Sequence, residues 1–329
     1  MTTTLVDTDF LERAEPYRRE LLAHCYRMMG SLHDAEDLVQ ETYLRAWRGY
    51  AGFEGRSSIR TWLYGIATNT CLTALKGRDR RPMPTGLGGS SDPKDELVSG
   101  TEVPWLEPAP DALLGTESSD PAAIVTSRES IRLALIAALQ HLPARQRVVL
   151  ILRDVLAWRA AEVAELLDLS TAAVNSILQR ARAQLDKIAP ERDQVAEPDN
   201  AAARDLLARY VSAFEAKDVP ALVELFEQDI VWEMPPYSSW YLGAAHVGRH
   251  LDTRCPGGPG EFRLRAVAAN GQPGFALYLL DRETGVFRAF GLQVLTIADG
   301  RISHVANFMD PAVFGIFGLS DEFVPQPSS

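Results

Sequence analysis

WRAAEVAELLDLSTAAVNSILQRARAQL, residues 158–185, spells two short helices broken by a tight turn, the second helix long and basic toward its end. In the first, Val163, Leu166 and Leu167 make an apolar stripe at i, i+3, i+4 spacing, beside the small Ala160, Ala161 and Ala164 that let another helix cross closely. After Asp168 and Leu169, Ser170 or Thr171 can cap a second helix whose apolar period is Val174, Ile177, Leu178, Ala181 and Leu185. This is the pattern of a helix-turn-helix, whose second helix enters the DNA major groove. Its outward positions are Thr171, Ala172, Asn175, Gln179, Arg180 and Arg182. Asn and Gln suit base edges there, and Arg suits phosphates. An ordinary helical hairpin with a solvated charged face carries the same pattern.

The chain has 329 residues, 46% of them hydrophobic, enough for two or three domains each with a core. Its net charge of −11 argues against a general polyanion binder, but the charge is uneven. Residues 1–81 carry +1 (12 basic, 11 acidic), 82–125 carry −7 (1 and 8), 126–189 carry +3 (9 and 6) and 190–329 carry −8 (11 and 19). The two DNA-suited segments are the only non-acidic ones. So few cations give weak free-standing affinity for DNA, and help from a partner is expected. Cys25, Cys71 and Cys255 are too few and too scattered for a disulfide framework or a zinc site, and no metal or cofactor is expected. No basic-then-apolar leader opens the chain, and no run approaches roughly 18 apolar residues. The expectation is a soluble cytoplasmic protein with no membrane segment.

Residues 10–81 read as nearly continuous helix: Phe10 to Met29, Asp34 to Trp47 behind Ser31 as N-cap, a Gly-rich break from Gly49 to Gly55, then Ser57 to Lys76. Residues 82–125 form an acidic linker rich in Pro and Gly. Within it WLEP, residues 105–108, is apolar enough to predict docking of Trp105 against the C-terminal domain. Residues 126–189 hold the helix-turn-helix, and a polar joint runs from Pro190 to Asn200. From 200 to 325 the pattern changes to helices over about 201–216 and 219–227, a helix near 244–252, and strands over 230–233, 262–269, 274–280, 287–297 and 301–307. That is an α+β layout with an antiparallel meander, turning at Ala298-Asp299-Gly300.

Three segments coincide in order and spacing with one family: DAEDLVQETYLRAW at 34–47, FEGRSSIRTWLYGIATNTCLTALKGRDRR at 53–81, and the helix-turn-helix. Together they resemble the extracytoplasmic-function sigma factors of the sigma-70 class, over residues 10–81 and 126–189. DLLARYVSAFEAKDVPALVELFEQDIVWEMPP and ADGRISHVANFMDP, within 200–325, resemble the SnoaL-like, NTF2-like cone. The whole is similar to sigma factors with a fused SnoaL-like domain, the actinobacterial sigma-G type in particular. The fold implied is multidomain: two all-α sigma domains, the second a helix-turn-helix, joined by an irregular linker, then the α+β cone.

The resemblance implies partners and roles. The partners are core RNA polymerase, through its β′ clamp helices and β flap, and promoter DNA. Asp34, Glu36, Asp37, Leu38, Gln40 and Glu41, a charged helix face with an apolar centre, would dock on the clamp helices; a solvated face has the same composition. Arg56, Arg60, Asn69, Lys76, Arg78, Arg80 and Arg81 would meet the melted minus-ten element, with the loop from Gly49 to Arg56 pocketing a flipped base. Trp62 reads as a core residue rather than a base platform. The helix-turn-helix would read the minus-thirty-five element, although Asn175 and Ile177 stand where the family usually has a basic residue. The acidic linker suits either mimicry of nucleic acid in the polymerase or a plain tether.

In the C-terminal domain, Trp232, Met234, Tyr237, Trp240, Tyr241, Phe290, His304 and Asn307 are candidates to line a pocket for a small-molecule ligand. His304 with Glu233 or Asp310 is the candidate acid/base pair. The function expected is promoter-specific transcription initiation, regulated in cis by the fused domain and not enzymatic. The alternatives are a SnoaL-like enzyme or ligand sensor on a DNA-binding arm, and a free-standing repressor, which the weak basic charge disfavours.

Overall fold

The computed structural model describes residues 9–115, 129–188 and 201–323. The distal linker, the polar joint before the C-terminal domain and the last residues, on which some of these expectations fall, lie outside the described residues. The chain divides into two compact units, one joining the residues up to Arg81 with those from Asp111 through the helix-turn-helix, the other joining Pro82–Pro110 with the C-terminal domain.

The first unit is helical: α1 Arg18–Met29, α2 Leu32–Gly49, α3 Ile59–Ala74, α4 Asp111–Leu114, α5 Leu133–Gln140, α6 Ala144–Leu150, α7 Ala160–Leu167 and α8 Thr171–Ile188. The helix expected from Phe10 to Met29 is interrupted by a 3-10 turn at Glu15–Tyr17, where Pro16 supplies no N–H. Gly30 ends α1 with φ 70°, a conformation costly for any residue with a Cβ. Ser31 caps α2 by accepting from the Asp34 N–H, and Ser58 caps α3 by accepting from Thr61. Leu21, Tyr26 and Met28 of α1, Val39 and Ala46 of α2, and Leu63, Tyr64 and Ala67 of α3 are buried together with Cys25 and Cys71.

Asp168 turns the chain out of α7 with φ 53°, and Ser170 Oγ accepts from the Ala173 N–H to start α8. Val163, Val174, Leu178, Ala181 and Leu185 are buried, as the apolar period requires. The two helical segments pack on each other within this unit. Leu166 of α7 lies where a Cβ on Gly65 of α3 would meet it at 3.0 Å, and the rings of Tyr64 and Trp158 meet edge-on at 5.5 Å.

The second unit holds α9 Ala201–Glu215, α10 Val219–Leu225, β1 Phe226–Glu233, β2 Trp240–Leu242, α11 Ala244–Thr253, β3 Phe262–Ala269, β4 Gln272–Asp281, β5 Val286–Ala298, β6 Arg301–Phe308 and α12 Val313–Ile316. The sheet order is β2-β1-β6-β5-β4-β3. The meander from β3 to β6 is antiparallel, but β1 lies parallel to β6, because the chain passes through β2, α11 and three further strands before β6 returns beside it. Asp299 and Gly300 both have positive φ, the primed hairpin turn that matches strand twist. One face of the sheet packs on the helices through Trp232, Phe275, Leu277, Leu295 and Val305, and Tyr210 of α9 donates to Gln293 Oε1 at 2.7 Å.

The expected linker is not one tether. Its first part is laid on this domain: Val98 O accepts from Ser238 N–H, Gly100 N–H donates to Pro236 O, and Ala109 and Asn270 exchange hydrogen bonds. Its acidic Asp92, Asp95, Glu96 and Glu102 stay exposed.

Candidate nucleic-acid interface

On α8, Thr171, Ala172, Asn175, Gln179, Arg180 and Arg182 are all exposed, because the apolar period of the helix is spent against α6 and α7. Ser176, a further exposed polar residue beside Asn175, belongs to the same face. Arg182 has a second role: it forms two hydrogen bonds to Asp154, at 2.6 and 2.8 Å, fixing α8 to the wide turn Ile151–Val155. Its guanidinium is therefore committed within the fold.

The expected minus-ten residues divide in the same way. Asn69 and Lys76 are exposed on and just after α3, and Arg56 pairs with Glu54 at 2.6 Å in the exposed loop. Arg60 is instead turned onto Glu20, with hydrogen bonds of 2.7 to 3.0 Å, and lies 5.0 Å over the Tyr64 ring. Arg78 and Arg81 both bond Asp34 Oδ2, at 2.9 and 2.8 Å, and Arg80 meets His141 of the second helical segment at 2.6 Å. Trp62, expected in the core, is half-buried, its ring tilted against Phe53 at 4.8 Å in a cluster with Tyr50. Such ring faces at a loop edge can take an unstacked base.

Asp34 was expected on the polymerase-docking face, but its side chain is only 15% exposed and engaged by the two arginines. Burial opposes its ionised form, and the hydrogen bonds and charges of Arg81 and Arg78 outweigh burial, holding the carboxyl below its usual range. Asp37 and Gln40 are exposed, Glu36 and Leu38 are half-buried, and Glu41 pairs with Arg45 at 2.7 Å. Two residues the pattern reading passed over extend this face: Leu44 and Trp47, 49% and 46% exposed. The signal was available, since both fall off the buried period Leu32, Ala35, Val39, Thr42, Ala46.

The packing between the two helical segments is polar for a core. Arg27 bonds the Ser130 carbonyl and hydroxyl, and Arg147 donates to the carbonyls of Met28, Gln140 and Leu142 and to Gln140 Oε1. Both guanidinium groups are almost fully buried, which pulls each down to about 10. Among the described residues, Arg147 Nε, Gln146 Oε1 and Trp158 Nε1 are buried with no hydrogen-bond partner. Permanent cores satisfy such groups. Surfaces between parts that move relative to one another are more polar than permanent ones.

In the C-terminal domain most of the candidate pocket residues come together, but as packed core, with Tyr237 and Phe290 against the cluster that holds Trp232, Met234 and Tyr241. Trp232 and Met234 are packed in the core, and Tyr241 is fully buried against His250. Tyr237, Trp240 and Phe290 are half-buried, and Asn307 is buried beside Met309. Glu233 and His304 lie on the sheet face opposite Trp232 and Val305, since residues alternate along β1 and β6. There His304 Nε2 meets Glu233 Oε1 at 3.2 Å, and Thr85 of the linker binds the same carboxylate through its hydroxyl and its N–H. Asp310 is exposed and caps Ala312. A cleft of about 450 Å³ lies elsewhere, lined by Leu206, Arg209, Glu224, Leu225, Asp299, Gly300 and Arg301.

Trp105 Nε1 donates to Gly100 O at 2.7 Å, and a Cβ on Gly100 would come within 2.9 Å of the ring. Leu106, 1% exposed, is buried, as is Pro108, while Trp105 and Glu107 are half-buried. The Leu106 N–H donates to Pro82 O at 3.2 Å, drawing the two ends of this segment together.

Comparison with known proteins places these elements. Residues 14–81 match the model of Sigma-70 region 2, residues 132–185 that of Sigma-70 region 4, and residues 207–305 that of the SnoaL-like domain. The ECF RNA polymerase sigma factor SigG of Mycobacterium tuberculosis is 58% identical over 316 residues, covering 95% of this chain and 84% of that protein. SigJ of the same species is 27% identical over 91% of each chain. The crystal structure of SigJ superposes with a TM-score of 0.58 over 93% of this chain and 98% of that one, at 23% identity, a likeness of fold. Among the described residues no helix is long and apolar enough to cross a membrane. With both sigma regions and the fused domain matched in order, and a relative of this identity along nearly its full length, the chain belongs to the extracytoplasmic-function RNA polymerase sigma factors, in a form that carries a C-terminal SnoaL-like domain.

Proposed function

We propose that the separate surfaces of the first unit divide the work of a sigma factor. The α8 face of Thr171, Ala172, Asn175, Gln179 and Arg180 reads minus-thirty-five duplex, supported by its exposure. Asn69, Lys76 and the loop around Arg56, beside the Phe53 and Trp62 rings, take the melted minus-ten strand. Asp37, Leu38, Gln40 and Glu41, extended by Leu44 and Trp47, seat on core polymerase, with an apolar anchor inside an acidic rim. Asp34, Arg60, Arg78, Arg81 and Arg182 hold these surfaces in place.

The C-terminal domain regulates the chain in cis through its hold on the linker. The observation that carries this reading is that Pro82–Pro110 lies on the domain with its ends joined by the Leu106–Pro82 hydrogen bond. Docked, it tethers regions 2 and 4 closely. Released, the same stretch extends to roughly 90 Å, ample for regions 2 and 4 to part and read two separated promoter elements. Region 4 then leaves the polar packing on region 2. The domain does no chemistry of its own, because the His304–Glu233 pair is closed over by Thr85 and faces away from the aromatic core.

Run-off transcription with core polymerase, comparing the full chain with one lacking residues 200–329 at equal concentration, tests this reading. Changed promoter output is expected. Indistinguishable output overturns cis regulation, and a His304→Ala variant that loses turnover of a small substrate while keeping promoter output would restore the enzymatic alternative.

A further inference from the structure

Two thiols of region 2 have no part in the roles above. Cys25 of α1 and Cys71 of α3 are both 0% exposed, and the Cys71 thiol points at Cys25 Sγ from 3.6 Å. That is a non-bonded contact, against about 2.05 Å for an S–S bond. Region 4 comes up to the two thiols at one cation. Arg147 of α6 lies within electrostatic reach of Cys71, and its guanidinium also binds the carbonyl of Met28, one turn beyond Cys25 on α1.

Burial keeps this pair quiet. The contact with Cys25 and desolvation raise the Cys71 thiol well above its usual range, and the nearby Arg147 cation only partly offsets them. A thiol held protonated is a poor nucleophile. The packing of region 4 beside it, however, is the polar and incompletely satisfied surface described above. Its departure admits water to the pair.

We propose that Cys25 and Cys71 are a cryptic dithiol, silent while region 4 sits on region 2 and converted by a hydroperoxide into an intramolecular disulfide when region 4 lifts. The inference rests on the opening of the first unit. One thiolate attacks the peroxide, forming an S–O bond and breaking the O–O bond to leave a sulfenic acid and an alcohol or water. The second thiol then attacks that sulfur, the S–S bond forms, and hydroxide leaves as water with the thiol proton. Two thiols and one peroxide give one disulfide, one alcohol or water, and one further water. The bond draws α1 toward α3 and alters the seat of Arg147 on Met28.

The test uses the reduced full chain treated with hydrogen peroxide, then denatured, alkylated and mapped by mass spectrometry, beside a Leu166→Glu variant that removes the contact over Gly65. The expected result is a Cys25–Cys71 linked peptide, reversed by dithiothreitol, forming at least tenfold faster in the variant. Circular dichroism checks that the variant keeps its helices, and should it unfold, the same comparison is made on the wild-type chain with and without core polymerase. Free Cys25 and Cys71 at peroxide doses that oxidise the half-exposed Cys255 overturn the proposal, as does sulfinic acid at one of them. Equal rates with and without that packing also overturn it. Should promoter output still respond to removal of residues 200–329 while no linked peptide forms, cis regulation stands and the dithiol does not.

Discussion

Arg81 closes on Asp34 at 2.8 Å, and Arg78 joins the same carboxylate oxygen at 2.9 Å, so the basic stretch after α3 is clamped to the first turn of α2. The clamp makes Asp34 part of the frame of region 2, with Arg78 contributing less because its side chain is half exposed. Asp34→Asn should lower the stability of the first unit by about 1–2 kcal/mol, while Asp37→Arg with Leu38→Ala leaves stability nearly unchanged and weakens association with core polymerase. Thermal unfolding beside co-purification with core separates the two. Because the folded carboxyl titrates below its unfolded value, its contribution is present above about pH 4 and is lost as pH falls through the folded value.

Arg180 and Arg182 sit two residues apart on α8 yet differ in what they face. Arg182 is bound to Asp154, and Arg180 is exposed. Arg180→Ala should reduce affinity for minus-thirty-five duplex across sequences and lower the salt slope by about one. Arg182→Ala should act first on the anchoring of α8, lowering the unfolding temperature with a smaller change in slope. Equal slopes and equal unfolding temperatures in both variants would remove the distinction.

Much of this was legible in the sequence where structure is local. The apolar period of α8, Ser31 and Ser170 as caps, and the Asp299–Gly300 turn depend on neighbours within a few residues, and each sits as its pattern requires. What pattern could not supply were partners far along the chain. Asp34 and Asp37 look alike on one helix, and Arg78 and Arg81, 44 and 47 positions away, set them apart. Pro and Gly marked residues 82–110 as irregular backbone without indicating that the segment lies on a sheet. His304 and Trp232 seemed to share a pocket because strand alternation, not residue type, assigns the face, and the parallel register of β1 with β6 was not readable from either strand.

His24 gives the first unit an acid sensitivity that its carboxylates alone would not. Full burial, helped by the charge of Arg27, lowers its imidazole to about 3, so it stays neutral in the fold while the unfolded chain takes up a proton near pH 6.5. The unfolded state therefore binds more protons between those values, and stability must fall as pH drops from about 6.5 toward 3, by up to about 1.4 kcal/mol per pH unit. His24→Gln, which keeps a hydrogen-bonding group toward Thr68 Oγ1, should flatten that dependence at some cost in stability at pH 7. Denaturant melts at pH 7, 6 and 5 check the slope. A variant as acid-sensitive as the parent would mean that His24 does not carry it.

Leu106, rather than the more conspicuous Trp105, should decide whether the linker stays on the C-terminal domain. Trp105 braces Gly100, whose N–H is bound to Pro236, whereas Leu106 is itself buried and ties the segment back to Pro82. Leu106→Asp would bury a charge without a partner and should release the segment, at about 2–4 kcal/mol. Trp105→Ala should loosen only the Gly100 turn. Amide hydrogen exchange reads this directly: Leu106→Asp should raise exchange at Val98, Gly100 and Ala109 together, and Trp105→Ala mainly at Gly100. If release of the segment is what lets regions 2 and 4 part, Leu106→Asp must also move promoter output in the same direction as removal of residues 200–329. Faster exchange with unmoved output would leave the linker docked for stability alone.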